Sequence, residues 1–287
     1  MTHIDHFESM FRAAAKTPFV YQPLVIRRIL LVSDLDAGKA ESYQSQVRHF
    51  LRVLDGQGPE YGLITNGQFD GVTDLLCQVE AFAPDLIVTY RNLRTPAHDH
   101  PHSLGTHVDV LTQVMSSPVL LTPRPFAEAQ SQDSDSWDGT SHVMVITDHL
   151  AGDQRLVNMA VALTLLNGKL TLSHIENQQV FERYMHAIEK ISAIETENAR
   201  DAISGQLLKE PHDYIVSCRE TLQACETPIT IEEQITMGHH LSEYKRLIDE
   251  HDVTLLVMNT NDEDQLAMHG LAYPLAVELR NTPLLLI

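Results

Sequence analysis

The chain is poor in the features that classify a sequence most quickly. It has three cysteines in 287 residues, Cys77, Cys218 and Cys225, with no Cys-x-x-Cys pair. That pattern excludes a disulfide framework and a cysteine-rich zinc site, and it suits a reducing compartment. No apolar run approaches the ~18 residues of a membrane span. The first residues, Met1-Thr-His-Ile-Asp-His-Phe-Glu8, place acid and histidine where a secretory signal needs a basic start and an apolar core. The expectation is a soluble, cytoplasmic protein with no membrane insertion.

Positive charge is also scarce. Lysine and arginine number 20 against 39 aspartates and glutamates, a formal charge of −19. Residues 1–130 hold 10 basic and 14 acidic side chains, whereas residues 131–287 hold 10 and 25. A phosphate backbone would be repelled by the second half, and no cluster of basic residues offsets this, so no nucleic-acid partner is expected. At 287 residues and 43% hydrophobic content, the chain can bury two cores of ordinary size.

What the sequence does contain is a repeat. Ile29-Leu-Leu-Val-Ser-Asp34 and Val143-Met-Val-Ile-Thr-Asp148 are apolar strands that end on aspartate and lead into a polar turn and a helix. Pro84-Asp-Leu-Ile-Val-Thr89 and Val253-Thr-Leu-Leu-Val-Met258 form a second pair, preceded by helical patterns at Val72–Phe82 and His240–His251. Each copy closes on a helix (Gly105–Met115, Gly270–Arg280) and a proline-launched strand, Ser117-Pro-Val-Leu-Leu-Thr122 and Thr282-Pro-Leu-Leu-Leu-Ile287. Short buried runs alternating with helices imply right-handed crossovers and a parallel sheet.

The second copy adds a strand at Lys169–Ile175, a helical tract from Gln178 to about Leu208, broken near Pro211 and resumed to about Cys225, and a strand at Ile229–Thr236. The first copy has a helix over Ala40–Leu54 and only Tyr61–Thr65 as a further strand, so one strand-helix unit is missing. The division expected is an N-terminal extension (1–26), a shortened domain (27–125), a polar Ser/Asp linker (126–141) and a full domain (142–287). Residues 4–15 form a short amphipathic segment that would dock on the body or swap to a neighbour.

In this order and spacing the pattern resembles the universal stress protein family, present twice in tandem. Met237–Thr260 is similar to that family's third helix and fourth strand, and Asp34 and Asp148 match its adenosine-contacting aspartate. The resemblance implies an α/β fold of two Rossmann-like, adenine nucleotide alpha hydrolase-like parallel-sheet domains. It also implies an intramolecular pseudo-dimer with the strands at 118–122 and 283–287 at the interface, and a homodimer is a further expectation. ATP-binding members carry a Gly-x2-Gly-x9-Gly-(Ser/Thr) loop, whose glycines admit phosphate to backbone amides at a helix N-terminus.

Neither copy keeps that loop. The first retains Gly105-Thr106 and adds Arg91 and Arg94, cations able to hold a phosphate directly. The second retains Gly270 but places Asp262, Glu263 and Asp264 where a triphosphate would lie. Like charges repel there, so ATP is not expected in the second domain. ATP or AMP in the first domain would use Asp34, Arg91, Arg94, Gly105 and Thr106, with Asp148 and Gly270 as the second domain's counterparts.

Other chemistry is thin. His98, His100 and His102 alternate along one loop and could hold zinc. Asp34 and Asp36 resemble a phospho-receiver's acidic pair, without its later aspartate and lysine. No nucleophile elbow, P-loop or His-Glu-x-x-His helix occurs, and Cys218 and Cys225 share a helix face. The expectation is a non-catalytic protein acting in stress response or signalling through conformation or partner binding. The alternatives are an adenine-nucleotide sensor and a metal-binding stress protein.

Overall fold

Strands covered by helices on both faces need apolar residues at every position, and the repeated runs are of this kind. The computed structural model describes residues 18–95, 102–123, 139–146, 153–191, 195–260 and 272–287. The first half comprises β1 (Arg28–Val32), α1 (Ala37–Phe50), a 3₁₀ turn (Arg52–Gln57), β2 (Glu60–Ile64), α2 (Val72–Phe82), β3 (Leu86–Tyr90), α3 (Thr106–Val114) and β4 (Val119–Thr122). The second comprises β5 (His142–Ile146), α4 (Gln154–Leu163), β6 (Lys169–Asn177), α5 (Gln178–Ile188) and α6 (Thr196–Ala224). It continues with β7 (Thr230–Gly238), α7 (His240–Glu250), β8 (Leu255–Met258), α8 (Ala272–Glu278) and β9 (Leu284–Leu286).

The nine strands of the described residues join one sheet in the order β2-β1-β3-β4-β9-β8-β5-β6-β7. Every pairing is parallel except β4 with β9, where Leu120 faces Leu285 in antiparallel register. The two terminal strands therefore meet at the centre and fuse two parallel half-sheets about a pseudo-twofold. Strands β3, β4, β5, β8 and β9 are buried throughout. On the second half's outer edge β7 flanks β6; β2, at the opposite edge, has no strand outside it among the described residues. The unit shortened in the first half is thus the outermost strand and the helices leading to it.

Right-handed crossovers put α4 and α6 on one face of the second half-sheet and α7 and α8 on the other. The long helical tract differs from the sequence expectation. Its break falls between Ile188 and Thr196, and α6 runs through Pro211. Proline lacks an N–H and crowds the carbonyl four residues back, a penalty of ~3 kcal/mol. Burial of Tyr214, Ile215, Cys218 and Leu222 just beyond it holds the helix in place. No helix among the described residues is long and apolar enough to cross a membrane.

Two further features join the halves. Arg155 donates to the Ser116 carbonyl at 3.2 Å. Residues 18–26, ahead of β1, form an extended strap in which Phe19 and Ile26 are buried; Phe19 meets Tyr214 of α6 edge-on with ring centres 6.3 Å apart. Residues 4–15 lie outside the described residues.

Candidate functional site

The carboxyl ends of β1 and β3 lie side by side because Leu31 pairs with Val88, and this register brings Asp34 to Tyr90. The Tyr90 hydroxyl donates to Asp34 Oδ1, and its oxygen accepts the Asp34 N–H at 3.0 Å. With the phenol proton given to the carboxylate, the Ser33 hydroxyl, 3.1 Å away, is the donor to the Tyr90 oxygen. Burial, then the hydrogen bond to Asp34, raises the Tyr90 pKa well above the ordinary phenol value, so Tyr90 stays protonated. Edge-on contact with Tyr43, ring centres 5.6 Å apart, fixes it from below.

The second carboxylate oxygen of Asp34 is also used. The loop after β3 turns through left-handed conformations at Asn92 and Arg94, both with φ of 58°, and aims the Arg94 N–H at Asp34 Oδ2, 2.8 Å away. The Arg94 guanidinium lies over the Phe69 ring at 4.1 Å and reaches Asn66 Oδ1 at 3.4 Å. Cation–π contact of this kind is worth ~0.5–1 kcal/mol at an exposed site. His107 meets Phe69 edge-on, ring centres 5.8 Å apart, and burial followed by the Arg94 charge lowers its pKa. Asp34, Arg94, Phe69 and His107 thus form one cluster.

Gly105 and Thr106 join this end of the fold through Asn92. Asn92 N–H donates to Leu104 O at 2.7 Å, and a Cβ on Gly105 would stand 2.9 Å from the Asn92 Cα, so only glycine fits. Gly105, at φ 91°, is the N-cap of α3, and Thr106 is its exposed first residue. Asn92 is buried, and its Oδ1 has no partner among the described residues.

Arg91 is placed differently from the sequence expectation. It turns away from Asp34 toward the second half and donates to the carbonyls of Ala276 and Leu279, both at 2.6 Å. Those carbonyls close α8, where the helix dipole favours a cation. Burial, with Arg280 adding its charge, lowers the Arg91 pKa to about 10. With its guanidinium committed to α8, Arg91 is a structural tie between the halves.

In the second half, Asn259 follows β8 where Tyr90 ends β3. It donates to Asp153 Oδ2, while Asp153 Oδ1 caps α4 by accepting from Leu156 N–H at 3.0 Å. Burial raises the Asp153 pKa. Asp148, Gly270 and the acidic run Asp262–Asp264 lie outside the described residues, as do His98 and His100; His102 is described and exposed. No group of three metal-ligating side chains occurs among the described residues.

The sequence reading did not include Tyr90, Phe69 or Asn92. Tyr90 had one visible signal, a phenol at the end of a largely apolar strand. Phe69 and Asn92 had none, since their roles depend on backbone turns that spacing does not reveal.

No protein-family model and no curated protein matches the sequence. Among solved structures, the chain is similar to one from Pseudomonas aeruginosa UCBPP-PA14 provisionally assigned to the universal stress proteins. The identity is 14%, the coverage 91% of this chain and 93% of that one, and the TM-score 0.50. A universal stress protein from Archaeoglobus fulgidus DSM 4304 matches at 14% identity over 91% and 85%, with a TM-score of 0.47. A protein of unknown function from Pseudomonas aeruginosa PAO1 matches at 13% over 91% and 92%, with a TM-score of 0.49. With its repeated halves and shared sheet, the chain has the fold of the universal stress proteins.

Proposed function

We propose that this protein works without nucleotide, as a partner-binding member of a stress or signalling response built on the universal stress fold. One observation carries the reading: both Asp34 oxygens are bonded within the chain, to Tyr90 and Arg94. A ligand base would have to break these bonds and displace the Arg94–Phe69 stack before it reached the carboxylate. The buried Cys218 thiol is pushed up to about 12, so it is not a thiolate at neutral pH.

Calorimetric titration and thermal melts with millimolar ATP and AMP, with and without magnesium, test the reading. The expected result is no binding heat and no shift. A ligand at 100 times its Kd adds about 2.7 kcal/mol, so a rise of several degrees would overturn the proposal. An adenine-nucleotide sensor is a second reading, favoured by the left-handed Gly105 at the head of α3 and by the Asn92 Oδ1, which has no partner among the described residues. It requires Tyr90 to leave Asp34, so under it a Tyr90→Ala chain binds AMP more tightly than wild type.

A further inference from the structure

The strap ahead of β1 lies along the groove between α4 and α6, and its backbone is read from both sides. On the α4 side, Gln154 donates to Pro18 O at 2.9 Å and accepts from Val20 N–H at 2.7 Å. One turn further on, Asn158 donates to Val20 O at 3.1 Å and accepts from Gln22 N–H at 2.9 Å. On the α6 side, Ser217 Oγ accepts from Phe19 N–H at 3.1 Å, and Thr221 Oγ1 donates to Phe19 O at 3.4 Å. Six hydrogen bonds thus hold four residues, Pro18, Phe19, Val20 and Gln22, each made by a side chain of the groove to a main-chain group of the strap.

This alternation is that of a β-strand, with even residues read by α4 and the odd residue by α6. The spacing follows from the helices: Gln154 and Asn158 are four apart on α4, and Ser217 and Thr221 four apart on α6, so each pair shares a face. The side chains alternate too. Phe19 points inward at 3% exposure against Tyr214, and Val20 points outward at 52%. Asn158 is itself only 3% exposed. If the strap left, its Oδ1 would have no protein partner among the described residues and would require another N–H, since an unpaired buried amide is costly.

We propose that the α4–α6 groove is a docking site for an extended peptide segment of a partner protein, and that residues 18–22 occupy it in cis as an intramolecular competitor. The groove defines the partner's chemistry. The residue in the Phe19 position is aromatic and has an N–H, and the Val20 and Gln22 positions also need an N–H, so proline is excluded from all three. Proline is accepted in the Pro18 position, where only the carbonyl is used. The Val20 side chain faces solvent, so that position is not selected by size. This site lies away from Asp34, so the proposal stands or falls independently of nucleotide binding.

The test is fluorescence anisotropy with a labelled peptide of residues 18–24, Pro-Phe-Val-Tyr-Gln-Pro-Leu, against full-length chains. In Phe19→Ala the strap loses its anchor while the groove stays intact, so the peptide is expected to bind that variant at least ten-fold more tightly than wild type. The same peptide N-methylated at Val20, which cannot donate to Gln154, is expected to lose binding. If Phe19→Ala does not fold, Val20→Pro serves instead, because it removes the same N–H at a solvent-facing side chain. The proposal is overturned by a folded variant that binds no peptide, by equal binding to wild type, or by undiminished binding of the N-methylated peptide.

Discussion

A carboxylate at the end of a buried strand needs a partner, and the place of Asp34 at the end of its strand was legible in the sequence. Its partners were not, because Tyr90 is 56 residues away and Arg94 reaches it through a main-chain N–H. Arg91 and Arg94 look equivalent on paper, yet the left-handed turn at Asn92 between them sends one guanidinium to α8 and the other over Phe69. His142 shows a similar gap between residue type and role. Its Nδ1 lies 2.8 Å from the His251 carbonyl, which only accepts, so Nδ1 carries a proton; Nε2 is hydrogen-bonded to Thr171 Oγ1 at 2.8 Å. Burial lowers the His142 pKa below the ordinary 6.5; the His251 carbonyl and Glu232 pull it upward, while Lys169 and the His251 ring push with burial. Between the lowered native pKa and 6.5 the unfolded chain binds more protons, so stability is fully present above 6.5 and falls as pH drops through that window. Urea midpoints at pH 7.5 and 5.5 are expected to fall further in wild type than in His142→Gln, and equal falls would remove His142 from the explanation.

Elements were legible where one periodicity dominates. The buried strands read as continuous apolar runs, and α2 and α7 were placed to within a residue. The break between α5 and α6 was not visible, because apolar spacing continues through Ile191 and Ile194, and Pro211 offered a more conspicuous stop. The structure separates α6 at that proline in another way. Every fully buried residue of the helix lies at or after Pro211, and none lies in Thr196–Glu210. Helices hold mainly through packing of an apolar face, so the two segments should differ in stability although their backbone is continuous. In hydrogen exchange, amides of residues 197–209 are expected to exchange through local fraying, and those of residues 214–222 at rates set by global unfolding. Uniform protection along α6 would mean that the first segment is held by a surface not identified among these contacts.

At the scale of the whole molecule, the repeat was legible and so was its missing unit, but the joint between the copies, at 118–122 and 283–287, was implied by the family resemblance alone. That joint determines how the chain unfolds. Val119, Leu120 and Leu121 face Leu286, Leu285 and Leu284 across the only antiparallel strand pairing among the described residues, and every one of these side chains is buried. The Arg91 bonds to α8, the Arg155 bond to Ser116 and the strap across α4 and α6 reinforce it. A shared sheet of this kind leaves neither half a free edge at the centre, so the halves should unfold together and the calorimetric and van't Hoff enthalpies should agree. Leu120 and Leu285 are direct partners, one from each half, and truncating a buried leucine to alanine costs ~2–5 kcal/mol. Because residues in contact share their losses, the Leu120→Ala/Leu285→Ala pair weakens the joint more than it weakens either half-core. The double variant is expected to melt in two steps, with a calorimetric enthalpy above the van't Hoff value. A single lower transition would place the coupling in Arg91, Arg155 and the strap, and not in β4 and β9.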